Sequence, residues 1–265
     1  MHGTYIGNNK VLVSTKWGGM LTVNAEDLSL APVLIIHGIY DAGLTNYLIK
    51  NIKKGDTVVD IGANLGYFTT LMGYLVGPIG KVLAYEANPS LIPLIQDNIS
   101  MNYIGDRVTV YNKAIYSEYK TMPFFVAKKF MGNSSLHKHD SVYFNNYKSD
   151  TIQEIQVDAE PLDAIMDNVD VLSFVKIDIE GGEYHALKGM EKLLESNKIE
   201  TFSFELNRKM LQNDWYLLYA FLKAYEERME YYLLNNNGDI LPISLDDLFM
   251  KDGIPNVIVK VKRNI

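Results

Sequence analysis

The sequence predicts an α/β protein built on a doubly wound, mostly parallel β-sheet. Three observations predict it. From residue 57 onward, short apolar runs alternate with amphipathic stretches, the rhythm of parallel strands joined by helices. A glycine-rich segment, DIGANLGYF (Asp60–Phe68), lies between the first of these runs and the helical pattern behind it. Acids close several of the runs, at Glu86, Asp178 and Glu205, at the sheet edge where ligands bind in such folds.

The elements follow in order. TYIG and KVLVST, separated by Asn8 and Asn9, read as a β-hairpin. Leu44, Tyr47, Leu48 and Ile52 share one face of a helix predicted over 42–53. The reading divides the chain into a β-rich extension over 1–40 and a main domain over 41–265. TVVDIG is an apolar run of the kind found in a buried parallel strand. A helix over 66–76 follows, then the strand KVLAYE and a helix over 90–101 with Pro93 in its first turn. RVTVYNKA is the third core strand.

The rhythm breaks over 115–170. MPFFVA and IQEIQVDA read as strands, and the polar stretch GNSSLHKHDSVYFNNYKSD lies between them. We expect an insertion there, over the carboxyl edge of the sheet, where long irregular segments are often functional. LSFVKIDIE is the fourth strand, a helix spans 183–194, and ETFSFEL is the fifth strand. Trp215, Leu218, Tyr219, Leu222 and Tyr225 fall at core spacing on a helix over 215–228. MEYYLLN and NVIVKVK, with a turn at Gly238, complete seven strands. No helix is predicted between these last two, so they pair antiparallel.

Composition excludes several classes. Among 265 residues, 25 Lys and Arg against 32 Asp and Glu leave a net charge of −7, which disfavours general nucleic-acid binding. There is no cysteine, so disulfides, thiolate zinc sites and cysteine nucleophiles are absent. The longest apolar runs, such as APVLII, fall short of the roughly 18 residues that a membrane span needs. No basic-then-apolar leader pattern opens the chain. The expectation is a cytoplasmic protein without a membrane span.

Asp60 discriminates between cofactors. A dinucleotide would bring a pyrophosphate to the glycine loop, where a carboxylate repels it. S-adenosylmethionine carries an ammonium, a sulfonium and a carboxylate, and no phosphate. Asp60 can hold the ammonium, directly or through water. The backbones at Gly62 and Gly66 allow close approach, and Asn64 and the helix N-terminus offer donors to the cofactor carboxylate. Glu86, at the end of the next strand, suits the two ribose hydroxyls.

A second cluster is KIDIEGGEYHALKGM, Lys176 to Met190. Asp178 closes the fourth strand, and Glu180 shares its face if the strand continues. Acids on an apolar, buried strand need partners to offset desolvation. Glu183 falls in the first turn of the next helix, where an acid also stabilises the N-terminus.

VVDIGANLGYFT, the Glu86-Ala87-Asn88-Pro89 turn, NKAIYS, GNSSL and VKIDIEGGEYHALKGM, in this order, resemble the FkbM family of methyltransferases. The resemblance runs over about residues 41–206, and the DIGAN and KIDIEG blocks are its specific parts. It implies a class I methyltransferase (Rossmann-like) fold, with S-adenosylmethionine as donor and usually a hydroxyl as acceptor. It implies cofactor contacts at Asp60, Gly62, Asn64, Gly66, Tyr67, Glu86 and Ala87. It places Ala114 at the adenine edge and folds Ser134 and Ser135 back over the cofactor. Asp41 is a departure, since the family often has Glu there.

A sugar hydroxyl is a weak nucleophile, so a base or a metal should help remove its proton. Asp178 is the first candidate base, followed by Glu180 and Glu205; His137, beside GNSSL, is a further candidate. Asp178, Glu180 and Glu205 together could hold Mg²⁺ or another divalent cation through oxygen ligands. Phe130, His137, Tyr143, Phe144 and Tyr147 in the insertion suit a sugar ring. The leading expectation is therefore an O-methyltransferase acting on a sugar or glycan hydroxyl, in association with glycan-assembly enzymes. A non-catalytic cofactor-binding assembly domain and a nicotinamide-dependent oxidoreductase are the alternatives, and protein methylation is a third. The place after the fourth strand reads DIEGG, not the Asn/Asp-Pro-Pro-aromatic stretch that stacks on a flipped base, which argues against DNA modification.

Overall fold

The computed structural model describes residues 1–262. Three strands, β1 (Gly3–Gly7), β2 (Lys10–Ser14) and β3 (Met20–Asn24), form an antiparallel meander at the start of the chain. The predicted hairpin is its first two strands. β3 escaped the sequence reading because its buried run is only three residues long, Leu21, Thr22 and Val23, too short to display a period. A helix over Leu30–His37 was also unpredicted. Its residues are apolar on every side, and no amphipathic stripe marks it.

β4 (Thr57–Ile61), β5 (Lys81–Tyr85) and β6 (Val108–Tyr111) are parallel neighbours. The third predicted strand, RVTVYNKA, is split. Its second half becomes β7 (Ala114–Ile115), which leaves the main sheet and joins β9 (Ile152–Glu160) in the insertion. β8 (Lys120–Ala127) pairs antiparallel with β9, so the two strands read in the insertion are present and form a three-stranded sheet.

β10 (Phe174–Ile177) and β11 (Thr201–Glu205) resume the parallel sheet. β12 (Met229–Leu234), β13 (Ile240–Ile243) and β14 (Asn256–Val261) close it. The order is β13-β12-β14-β11-β10-β4-β5-β6, eight strands among the described residues where seven were predicted. The extra strand is ILPI, a hairpin partner of β12 across the Gly238 turn. A helix over Leu245–Met250 then returns the chain to β14, contrary to the expectation that none would fit. β14 lies antiparallel to both β11 and β12, as expected for the last strand pair.

β4 and β10 are adjacent, and the chain winds outward from them to either side. Their carboxyl ends mark the point where the strand order reverses, which is where such sheets bind ligands. One face of the sheet is covered by the meander and the helices over Ala42–Asn51 and Tyr67–Leu75, with Leu48, Leu71 and Met72 fully buried. The other face is covered by the helices over Glu183–Lys188, Glu191–Glu195 and Asp214–Ala224, through Leu187, Leu193, Leu218 and Leu222. Among the described residues no helix is long and apolar enough to cross a membrane.

The meander is held to the domain by side-chain amides. Asn98, on the helix over Ile92–Met101, is fully buried. Its Oδ1 accepts from the Thr22 N–H (2.7 Å) and hydroxyl (2.9 Å). Its Nδ2 donates to the carbonyls of Thr22 (3.1 Å) and Leu65 (2.8 Å). Asn102, one turn later, treats Met20 in the same way, at 3.0 and 2.6 Å. The two amides serve β3 as a neighbouring strand would and satisfy its open edge. Asn98→Ala leaves several of these buried groups without partners, so we expect a loss of about 2–4 kcal/mol of stability, measured by urea unfolding.

Candidate active site

The glycine loop is shaped by what lies across from it. Gly62, Asn64 and Gly66 all have positive φ (80°, 52° and 89°). A Cβ on Gly62 would sit 1.9 Å from the carbonyl oxygen of Asp178, so the loop after β4 rests directly on the segment after β10. The N–H groups of Gly62 and Ala63 both donate to the Tyr85 carbonyl at 3.0 Å, which fastens the loop to the end of β5. That leaves the Asn64 N–H to donate to Glu86 Oε2 at 2.7 Å. The Asn88 N–H donates to Glu86 Oε1 at 2.8 Å. Burial pushes the Glu86 carboxyl up to about 7.

Glu86 lines a cavity of about 560 Å³. Leu91, Ala114, Ile115 and Phe124 give that cavity an apolar slot, and Gly62, Asn64, Ala87 and Ser134 also line it. A second compartment of about 400 Å³ shares Gly62, Asn64, Gly132, Asp178 and Glu180 with the first and adds Tyr40, Tyr67 and Phe68. Seven of the ten expected cofactor residues therefore face one compartment or the other. Asp60, Gly66 and Ser135 face neither.

Asp60 is the largest departure. It is fully buried beneath the loop. Its Oδ2 accepts from the Thr69 hydroxyl at 2.6 Å, and the Lys176 ammonium lies 3.0 Å from its Oδ1. The β4–β10 register places the two residues side by side. Lys176 also donates to the Gly62 carbonyl at 3.1 Å and lies 3.6 Å from Asp178 Oδ2. Burial opposes the lysine charge, but Asp60 and Asp178 more than offset this and hold its pKa above the ordinary value. Asp60 is thus a counter-ion to Lys176 and a prop for the loop, with no face toward the cavity. The signal for this was available: a lysine inside the apolar run FVKI demands a buried partner.

The two serines are staples. Ser135 is fully buried; its hydroxyl donates to the Glu180 carbonyl (2.7 Å) and accepts from the His137 N–H (3.0 Å). The Ser134 hydroxyl donates to the Met131 carbonyl (2.9 Å) and accepts from the Ala127 N–H (3.1 Å). His137 Nε2 lies 3.1 Å from the Gly181 carbonyl, and its ring lines neither compartment, so it is a structural tie and not a base. Phe130, Tyr143, Phe144 and Tyr147 are likewise absent from both linings. They pack on one another, Phe130 and Tyr143 each within 4.7 Å of the Tyr147 ring.

Asp178 and Glu180 face both compartments. Glu180 has φ +52°; burial and then Asp178 push its carboxyl well above the usual range. The pairing of Ile177 with Phe204 brings Asp178 and Glu205 together at the sheet edge. Glu205 lines neither compartment, and burial followed by the Asp178 charge pushes it up to about 8. The expected cation site is not formed. Among the described residues no group of three or more His, Cys, Asp or Glu side chains is placed to hold a metal ion.

A glycine loop against Glu86, with acids after β10 across the cleft, is the pattern of a methyltransferase domain, and a family comparison decides which. The model of the methyltransferase FkbM domain matches residues 60–239. The chain belongs to the FkbM methyltransferase family. Methyltransferase sdnD of Sordaria araneosa is 26% identical over 172 residues, covering 55% of this chain and 64% of that protein. Methyltransferase 1 of Beauveria bassiana is 27% identical over 157 residues, covering 55% of this chain and 62% of that one. The chain thus spans a little under two thirds of the length of these relatives. Among solved structures, an FkbM methyltransferase from Methylobacillus flagellatus aligns with a TM-score of 0.49 at 16% identity, over 78% of this chain and 43% of that one. The FkbM match includes the glycine loop, Glu86 and all three acids after β10 and β11, and it begins after Tyr40.

Two expectations follow from the electrostatics. Lys176→Met strands the Asp60 charge in the interior, and we expect it to cost about 3–5 kcal/mol, measured by urea unfolding. Glu205 keeps its proton to about pH 8 when folded but releases it near the ordinary glutamate value of 4.5 when unfolded. Between those values the unfolded chain binds fewer protons, so stability falls as pH rises. Glu86, raised to about 7, adds to the same slope. Glu205→Gln should therefore flatten the decline of Tm between pH 5 and pH 8.

Proposed function

We propose that this chain is an S-adenosylmethionine-dependent O-methyltransferase whose acceptor is a hydroxyl of a sugar or glycan. The observation that carries the cofactor assignment is Glu86. Both its oxygens are oriented by backbone N–H groups, at the rim of an apolar slot that opens into the compartment holding Asp178. A carboxylate set in this way accepts from a pair of ribose hydroxyls. Leu91, Ala114, Ile115 and Phe124 suit a purine ring, and Gly62, Asn64 and Tyr67 line the passage toward Asp178. A pyrophosphate fits poorly. Glu86, Asp178 and Glu180 all face the cleft, while Lys176 is paired with Asp60 and Lys113 with Glu160. Both relatives are named as methyltransferases, in support of the reaction class.

The bound cofactor supplies an electrophilic methyl group on a sulfonium. The chain must position the acceptor oxygen in line with it and remove the hydroxyl proton. Asp178 is the group for that proton. It faces both compartments, and the Lys176 ammonium at 3.6 Å balances its charge. Burial pushes Glu205 up to about 8, which keeps it a hydrogen-bond donor near neutral pH, and burial followed by the Asp178 charge shifts Glu180 in the same direction. An acceptor of this kind would set the protein beside enzymes that assemble glycans.

Calorimetry with S-adenosylhomocysteine and with a reduced nicotinamide tests the cofactor. Methyl transfer to a panel of methyl glycosides, with and without EDTA, tests the acceptor. Absence of S-adenosylhomocysteine binding would overturn the assignment, and binding without transfer would favour an assembly role. Asp178→Asn should lower kcat by about a hundredfold or more while leaving S-adenosylhomocysteine affinity within a few-fold. Full turnover in that variant would remove Asp178 as the base.

A further inference from the structure

Tyr40 lies outside the family match and was not singled out by any sequence pattern. It ends the N-terminal segment, just before the helix over Ala42–Asn51. Its ring is clamped, with the rings of Tyr67 and Phe68 each 6.0 Å away. Its carbonyl accepts from the Thr45 hydroxyl at 2.7 Å, and that hydroxyl also meets the Tyr67 hydroxyl at 3.1 Å. The side chain lines the second compartment with Asp178 and Glu180. Yet the Tyr40 hydroxyl makes no hydrogen bond to any described residue. A clamped phenol without a partner, on the wall of a polar compartment, is a donor held ready for a ligand.

Its protonation state defines what it can do. Burial, then the charges of Asp178, Asp41, Glu180 and Glu205, push the phenol far above the usual tyrosine range. Tyr40 therefore remains a neutral O–H at any working pH and cannot act as a base. Donation to the attacking oxygen would draw electron density from the lone pair that must reach the methyl group. The proton of that oxygen passes to Asp178. The donor is better used on an oxygen beside it.

Resting on the sugar-hydroxyl reading above, we propose that Tyr40 binds the acceptor oxygen adjacent to the one that is methylated, and that the site thereby selects acceptors with two neighbouring oxygens. Tyr40 is then an acceptor-binding residue supplied by the segment that precedes the family domain. It sets specificity while Asp178 takes the proton.

The test is a cycle on whichever methyl glycoside of the panel is methylated, together with its mono-deoxy analogues. Tyr40→Phe keeps the ring and its packing. We expect it to lower kcat/KM about tenfold, with S-adenosylhomocysteine affinity and Tm unchanged. One deoxy analogue should cost the wild-type enzyme the same factor and cost Tyr40→Phe nothing further, because both changes delete one hydrogen bond. Unchanged kcat/KM in Tyr40→Phe would overturn the proposal, as would losses that simply multiply. A parallel fall in cofactor affinity and Tm would overturn it too, by showing a structural role. Absence of transfer to every sugar would remove the acceptor class itself, and this proposal with it. Transfer that ignores Tyr40 would remove this proposal alone.

Discussion

The site depends on one buried ion pair, Asp60 with Lys176. Each side chain comes from the middle of the sheet, from the two strands where the order reverses. Neither charge reaches solvent, so each would carry a large desolvation cost alone. Together with the Thr69 hydroxyl and the Gly62 carbonyl they form a closed set of partners. The set joins β4 to β10, the loop to the helix behind it, and, through the 3.6 Å approach to Asp178, the cofactor side of the cleft to its acid. A buried pair of this kind contributes more to the fixed geometry of its surroundings than to net stability. Here the geometry it fixes is the close approach of Gly62 to the Asp178 backbone.

Above that floor, the roof is built where two outlying segments meet. Asp27, buried at the start of the helix over Leu30–His37, accepts from the N–H groups of Ser29, Leu30 and Ala31 and from that of Met131. The Ser29 hydroxyl accepts from the Gly132 N–H at 3.0 Å. A Cβ on Gly132 would come within 2.9 Å of the Leu30 Cδ1 methyl and 3.3 Å of the Ser29 hydroxyl, so a larger residue there would have to displace the end of the Leu30 side chain. Gly132 lines both compartments. From the other side, Ser135 and His137 fasten the insertion to the Glu180–Gly181 turn. The cleft is therefore enclosed by short-range polar ties, and of the insertion's aromatic residues by Phe124 and not by Phe130, Tyr143, Phe144 or Tyr147.

Local order explains what could be read from the sequence. The loop, Glu86 and the acids of KIDIEG lie at strand ends, and strand ends are marked by a change of period that a sequence displays. The parallel core was legible for that reason. β3 and the helix over Leu30–His37 were not: the buried run of β3 is three residues long, and the helix is apolar on its exposed side too, at Val33 and Ile36. β13 was missed because ILPI contains a proline and pairs on one side only, at the edge of the sheet. Asp60 was read as a ligand because the sequence shows an acid at a loop and not the lysine that crosses to it from 116 residues away. His137 and the insertion aromatics were misjudged for a related reason. Their partners, Gly181 for the histidine and other aromatics for the rings, are set by tertiary packing.

The distribution of charge in the cleft then narrows the chemistry further than the motifs alone. Three carboxyl groups face the ligand space, and the lysine nearest to them is already paired. A ligand that brings negative charge is disfavoured, while one that brings cationic groups or hydroxyl donors satisfies acceptors that the protein leaves open. The acids differ in how they can respond. Glu86 has two backbone donors and is suited to accept; Glu205, pushed up to about 8, is suited to donate, and burial shifts Glu180 in the same direction. Asp178 alone combines access to both compartments with a neighbouring ammonium. On the proposed hydroxyl-methylating reading, Asp178 is the acid placed to take the proton.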